Sequence, residues 1–60
     1  MIPTIHIKNN IIRVLSKNVG TDLTTLQIKL GIKKQLIRKI LLVLIRHGEV
    51  YQVNEYYYLI

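Results

Sequence analysis

The chain lacks cysteine, tryptophan, phenylalanine and alanine, and only one proline and three acidic residues occur among its 60 residues. Without cysteine it can form no disulfide bond, and a structural zinc site would have no thiolate ligands. A domain of this size buries about 60% of its unfolded surface, and its core alone supplies only about 3–5 kcal/mol. Association with a second copy is therefore the remaining source of extra stability.

A long apolar segment is also missing. The longest uninterrupted apolar run, residues 40–45, is far shorter than the roughly 20 residues that cross a bilayer. The N-terminus has no charged start followed by an apolar core, which a secretory signal requires. We therefore expect a cytoplasmic protein, in the host cytoplasm if its source is a virus, with no membrane partner.

Positive charge is what the chain has in excess. Nine lysines and arginines against three acids give a formal charge of +6, while half of the residues are apolar. The apolar half argues against a disordered basic tail. The charge favours a polyanionic partner, or alternatively a solvated surface that keeps a small protein soluble. Because the basic residues cluster on one predicted helix, we favour nucleic acid.

The N-terminal third has the apolar periodicity of an amphipathic helix. Ile7, Ile11 and Leu15 recur at helical spacing and predict a first helix over about residues 4–17. Pro3 suits the first turn of this helix, where a missing amide removes no internal hydrogen bond.

A second, shorter helix is predicted over about residues 24–30. Thr24 and Gln27 have the spacing of a capping box, in which each side chain bonds to the backbone amide of the other residue. Leu23 and Ile28 are placed as a hydrophobic staple around the same start. Residues 21–23, just before it, are predicted to form a small strand or an extended link.

A third, longer helix is predicted over about residues 33–47. Gly31 supplies the left-handed conformation that ends the second helix, and Gly48 stops the third. A short helix, a glycine turn and a longer basic-faced helix form a helix-turn-helix, a common device for placing a helix against DNA. The apolar positions that should face the core are Ile37, Ile40, Leu41 and Leu44, with Ile45 at the edge.

After the third helix the apolar period changes to two, in a stretch rich in β-branched and aromatic residues. This pattern predicts a β-hairpin over about residues 49–60 that turns at Asn54 and Glu55. The expected cross-strand pairs are Val50–Leu59 and Gln52–Tyr57 on one face, and Tyr51–Tyr58 and Val53–Tyr56 on the other.

This arrangement resembles the winged helix-turn-helix family of DNA-binding domains over almost the whole chain. The stretches that carry the resemblance are D-L-T-T-L-Q-I-K-L-G-I, from residue 22, and L-I-R-H-G-E-V-Y-Q-V, from residue 44. The family implies one domain over 1–60 with an α+β, mainly α fold: three helices and a C-terminal β-hairpin wing. It also implies a small transcriptional regulator that binds double-stranded DNA. The alternative within the family is a module that docks partner proteins in a larger assembly.

In the family, the outer face of the third helix enters the major groove. Arginine there can bind guanine, glutamine can bind adenine, and lysine usually meets phosphate. Lys33 and Lys34 stand where the family usually has a capping Ser, Thr or Asp, so we interpret them as phosphate contacts. Leu42 could touch a thymine methyl, the wing or a partner subunit, or could simply be exposed. The residues expected to contact DNA are Lys33, Lys34, Gln35, Arg38, Lys39, Leu42 and Arg46.

The outer face of the predicted hairpin is aromatic. An exposed aromatic patch more often marks a protein interface than solvated surface. We therefore expect a homodimer, with base stacking on single-stranded nucleic acid as the alternative. The residues of the expected dimer interface are Tyr51, Val53, Tyr56 and Tyr58.

No pattern in the sequence indicates an enzyme. The acids Asp22, Glu49 and Glu55 and the histidines His6 and His47 have no recognisable catalytic or metal-binding spacing. No glycine-rich phosphate loop follows a strand. We expect no catalytic residue, no metal, no cofactor and no small-molecule substrate.

Overall fold

The computed structural model of the protein describes the backbone of residues 4–60 and the side chains of residues 6–60. The predicted helix opening at Pro3 lies outside these residues. The fold is α+β and mainly helical, with three helices followed by an antiparallel hairpin in the predicted winged helix-turn-helix layout. The elements are α1 Thr4–Lys17, β1 Thr21–Asp22, α2 Leu23–Leu30, α3 Lys34–Arg46, β2 Val50–Val53 and β3 Tyr56–Leu59.

The core lies between the three helices and the inner face of the β2–β3 hairpin. Each helix places its apolar residues three or four positions apart, so that one stripe of each is buried. The four core positions predicted on the third helix are all buried. The ten buried apolar residues are Ile7, Ile11, Leu15, Leu26, Ile37, Ile40, Leu41, Leu44, Val50 and Tyr57.

The three strands form one small antiparallel sheet in the order β1-β3-β2. The register of β2 and β3 agrees with the prediction at all four pairs, from Val50 opposite Leu59 to Val53 opposite Tyr56. The turn at Asn54 has a positive φ of 55°, a conformation that asparagine tolerates better than most residues. β1 adds a third strand by pairing with β3. Of the two predicted forms of residues 21–23, a strand or an extended link, the structure has the strand, over Thr21–Asp22, with Leu23 already in α2.

The start of α2 differs from the prediction. Asp22 is the N-cap instead of Thr24, and its carboxylate accepts a hydrogen bond from the backbone amide of Thr25 at 3.0 Å. The helix accordingly begins at Leu23. The chain is extended up to Asp22 because β1 pairs with β3. Asp22 is therefore the first residue that can cap α2. The predicted staple is wrong, because Ile28 is 77% exposed.

The turn between α2 and α3 is the predicted one. Gly31 has φ 66° and ψ 33°, and its amide donates to the carbonyl of Gln27 at 2.8 Å. α3 begins at Lys34 and ends at Arg46, one residue inside each predicted bound. Lys33 is its N-cap and makes no side-chain capping bond, because an ammonium group has no lone pair to accept one.

Replacing Asp22 by alanine should lower the thermal midpoint by a few degrees, because the amide of Thr25 then loses its acceptor. Asp22→Asn is the matched control, since asparagine also caps helices but cannot ionise. Circular dichroism melts of the three proteins measure the effect. Equal midpoints for wild type and Asp22→Ala at neutral pH would show that this cap contributes nothing.

The same variants test a pH dependence. Hydrogen bonds from the Thr25 side chain and then its amide hold the pKa of Asp22 below its ordinary value of 3.8. The ionised cap therefore adds stability that is present above pH 3.8 and is lost as pH falls through the lower pKa of the folded state. We expect wild type to lose stability more steeply than Asp22→Asn in this acid range.

Candidate nucleic-acid interface

One face of α3 is exposed along the whole helix. Positions 35, 38, 42 and 46 follow one another at three- and four-residue intervals, so they share one side of the helix. Ile37, Leu41 and Leu44 occupy the opposite, buried side. All seven predicted DNA-contacting residues are exposed on this helix or immediately before it: Lys33, Lys34, Gln35, Arg38, Lys39, Leu42 and Arg46.

Positive charge on this face is not balanced by the helix itself. Five of the seven residues are cations, and residues 33–47 include no acid. Among the described side chains, the one ion pair joins Lys8 to Glu49 at 3.6 Å. Lys34 and Arg38, one turn apart, are like charges at a spacing that costs an isolated helix about 0.2–0.5 kcal/mol. An anion bound along this face would relieve that repulsion.

The unbalanced positive charge is most concentrated at the N-terminus of α3. Free amides and the helix dipole already make this end positive, so lysines there are unfavourable unless an anion is near. Asp22 offsets a little of this charge: the pKa of Asp22 is lowered mainly by hydrogen bonds from Thr25, and the charge of Lys34 is the smallest of the causes that lower it. Lys33 remains exposed beside amides that no side chain caps.

A cleft of about 310 Å³ separates α3 from the hairpin. Arg38 and Leu42 form its α3 side, and Gln52, Glu55 and buried Tyr57 form its hairpin side. Leu42 is 48% exposed and faces the wing across this cleft, which fits one of the roles expected for it. The start of α2 closes the cleft with Asp22, Leu23 and Thr24.

The cleft holds carboxylates as well as the guanidinium of Arg38. Glu55 from the hairpin turn and Asp22 from the start of α2 both line it. Two negative groups there disfavour a phosphate between α3 and the wing. The favourable positions for phosphate are therefore at the N-terminus and the outward side of α3.

The border of the basic face on the side away from the cleft is apolar. Leu36 and Val43 are seven residues apart, two turns along α3, and both are exposed. The prediction of DNA contacts did not include either of them. Their heptad spacing was the available signal, but neither residue stood out, because Leu36 adjoins the core residue Ile37 and Val43 lies within the apolar run 40–45.

The outer side of the hairpin forms a second exposed surface. Tyr51 and Tyr58 stack with their ring centroids 5.1 Å apart and their planes 14° from parallel. Val53 and Tyr56 follow on the same side and are both exposed. We call Tyr51, Val53, Tyr56 and Tyr58 the tyrosine face.

Tyr58 is half-buried, because its ring packs closely against Gly20. A Cβ atom on Gly20 would lie 2.9 Å from Cε1 and Oη of Tyr58. The ring therefore needs glycine at position 20 to approach the chain this closely. Val19, next to it, is 97% exposed and extends the apolar surface beyond the tyrosine face. Sequence periodicity did not single out Val19.

The described residues, 6–60, contain no cluster of three His, Cys, Asp or Glu side chains that could hold a metal ion. Within residues 4–60 no helix has the length and apolar character needed to cross a membrane. Comparisons with protein-family models, curated proteins and solved structures find no match for this chain. Its function must be argued from its own geometry and charge.

Proposed function

We propose that the protein binds double-stranded DNA with some sequence preference, as a small transcriptional regulator whose α3 enters the major groove. The observation that carries this proposal is the basic face of α3, which together with Lys33 at its N-cap holds five exposed cations and no acid. Cations held together against their mutual repulsion favour a polyanion. The helix-turn-helix layout presents that face outward, as DNA recognition requires.

The dimensions of α3 suit this role. Its 13 residues span about 20 Å, and a helix with side chains is about 10–12 Å wide. The major groove of B-DNA is about 12 Å wide and admits one helix. The base edges would then meet the centre of the face, and the two phosphate backbones would meet its borders.

The residues of the face divide by chemistry. Lys33 and Lys34, beside uncapped amides, bind phosphate, where lysine acts as a point charge. Gln35, Arg38 and Lys39 follow toward the centre and supply the sequence preference, with Arg38 able to bind guanine in bidentate fashion. Leu42 and Arg46 extend the contact: Leu42, at the border of the cleft toward the wing, through the exposed part of its side chain against a thymine methyl, and Arg46 through the DNA backbone.

The hairpin takes little part in this binding mode. Its turn carries Glu55, and residues 47–60 include no lysine or arginine. A wing without cations cannot hold the phosphates of an adjacent minor groove. We therefore assign the contact to α3 rather than to an inserted wing.

Salt dependence tests the proposal. If one subunit neutralises about four to six phosphates, log affinity should fall with log salt at a slope of about −3.6 to −5.4. Fluorescence anisotropy of a labelled duplex over a range of salt concentrations measures this slope. A binding constant that hardly responds to salt would contradict the proposal.

A protein-docking module is the second candidate. Leu36, Leu42 and Val43 are exposed on α3, and apolar residues on a surface helix favour a protein partner. The charge of +6 favours DNA. Absence of duplex binding even at low salt would decide for the protein partner.

A further inference from the structure

The two ends of the tyrosine face carry opposite charges. At one end Lys17, in the last turn of α1, lines a cleft of about 410 Å³ together with Tyr51 and Tyr58. At the other end Glu55 is exposed in the hairpin turn, next to Tyr56. An apolar strip that is cationic at one end and anionic at the other is complementary to a second copy of itself turned through 180°.

The surrounding charges favour the same occupant. All nine lysines and arginines lie outside residues 47–60. Glu49, the other acid of this segment, is paired with Lys8, whereas Glu55 at the hairpin tip lines a cleft with Arg38 but forms no ion pair among the described side chains. Two copies that each carry +6 repel at long range. The outer side of the hairpin is where they can approach with the fewest cations facing one another.

We propose that the tyrosine face docks a second copy of this chain in a two-fold, antiparallel arrangement. Lys17 of each copy then lies against Glu55 of the other, and the tyrosines and Val53 of the two copies pack between these ion pairs. Aromatic side chains supply large contact areas and pair favourably in offset or edge-to-face geometry. Val19, exposed beside Tyr51 and Tyr58, adds to the apolar contact.

The size of the surface sets the strength of the association. Specific interfaces bury about 800 Å² on each partner, close to a fifth of the 4392 Å² that this chain exposes. The tyrosine face has only four side chains, of which Tyr58 is half-buried, and Val19 adds a fifth, so we expect a contact smaller than this. The dimer is therefore weak and depends on concentration, in contrast to an obligate dimer with a shared core.

A charge-swap experiment tests the arrangement. Lys17→Glu places an acid against Glu55 of the other copy, and Glu55→Lys places a lysine against Lys17. Each variant alone should dimerise about tenfold or more weakly than wild type, because like charges meet at both ends. An equal mixture of the two variants restores opposite charges at both ends, so it should regain association. Sedimentation velocity from micromolar to millimolar protein, without DNA, measures all four samples.

Two further variants show whether a change in association comes from the docking contacts or from the net charge of the protein. Arg13→Glu makes the same charge change on α1 at another exposed position, and it should leave association near the wild-type level. Val53→Ser removes apolar contact from the middle of the face and should weaken association without touching a charge. Every changed side chain is exposed, so we expect each variant to fold, and circular dichroism checks this.

Three results would overturn the proposal. Wild type could stay monomeric up to millimolar concentration, either charge variant could associate as wild type does, or the mixture could fail to recover. If wild type is monomeric and its tyrosine fluorescence is quenched by a single-stranded oligonucleotide, the face belongs to nucleobases instead. Because no DNA is needed in the sedimentation experiment, its failure leaves the DNA-binding proposal untouched.

Discussion

Replacing Arg38 and Lys39 together by alanine should weaken duplex binding by roughly 10- to 100-fold at a fixed salt concentration. Both side chains are exposed on the basic face of α3. A bidentate contact from an arginine or lysine to a base edge contributes about 1–3 kcal/mol of discrimination, and removing two cations also weakens the attraction to the phosphates whatever the sequence. The variant should therefore lose affinity and also part of its preference among duplexes.

The matched control is Arg13→Ala/Lys17→Ala. It also removes two exposed cations, but from α1. Exposed charges farther from the duplex than a Debye length, about 8–10 Å, are largely screened, so this pair should weaken binding far less. Anisotropy titrations at nanomolar protein keep the weak dimer out of the comparison. Equal losses in the two pairs would mean that net charge, and not the face of α3, controls binding.

Replacing Leu41 by alanine should unfold most of the protein. Leu41 is fully buried at the centre of the core, and such a truncation usually costs about 2–5 kcal/mol. A single core of this size supplies only about 3–5 kcal/mol in all. The stability that remains is close to zero, so far-UV circular dichroism should show loss of helix at room temperature and a flattened melt.

The neighbouring residue provides the control. Leu42 is identical in chemistry and adjacent in sequence, but it is 48% exposed. Leu42→Ala should change stability by about 1 kcal/mol or less. Similar melts for the two variants would contradict the orientation of α3, because burial of Leu41 and exposure of Leu42 follow from the same rotation of the helix.

Local patterns predicted most of the fold. The bounds of α1, the left-handed Gly31 and the hairpin register from Val50 to Leu59 all follow from apolar period and turn chemistry. These features depend on neighbours within a few residues, which the sequence shows directly. They are the parts of a chain that single-sequence reasoning handles best.

The start of α2 was not predictable in this way. Asp22 and Thr24 are both good N-cap residues, and the spacing of Thr24 to Gln27 favoured the wrong one. The choice is made by Asp22 lying opposite Tyr56 in the sheet. That contact joins residues far apart in sequence, so no local pattern could reveal it.

The candidate site, like the fold, was predictable from local sequence in one part and not in the other. The outward face of α3, including Arg38 and Lys39, follows from a period of 3.6 residues and was predictable. The placement of Tyr58 over Gly20 and the exposure of Val19 depend on how α1 meets the hairpin. Tertiary packing alone decides these, and they extend the tyrosine face beyond what alternation along the strands predicts.

The central claim is that the basic face of α3 neutralises DNA phosphates. Its most direct test is the salt dependence of duplex affinity, measured in parallel for wild type and for Lys33→Ala/Lys34→Ala, the two lysines assigned to phosphate. We predict a wild-type slope of about −3.6 to −5.4 and a variant slope shallower by about 0.9–1.8, for one or two lost phosphate contacts. Two parallel lines would contradict the claim, because they would show that neither residue releases counterions when the protein binds.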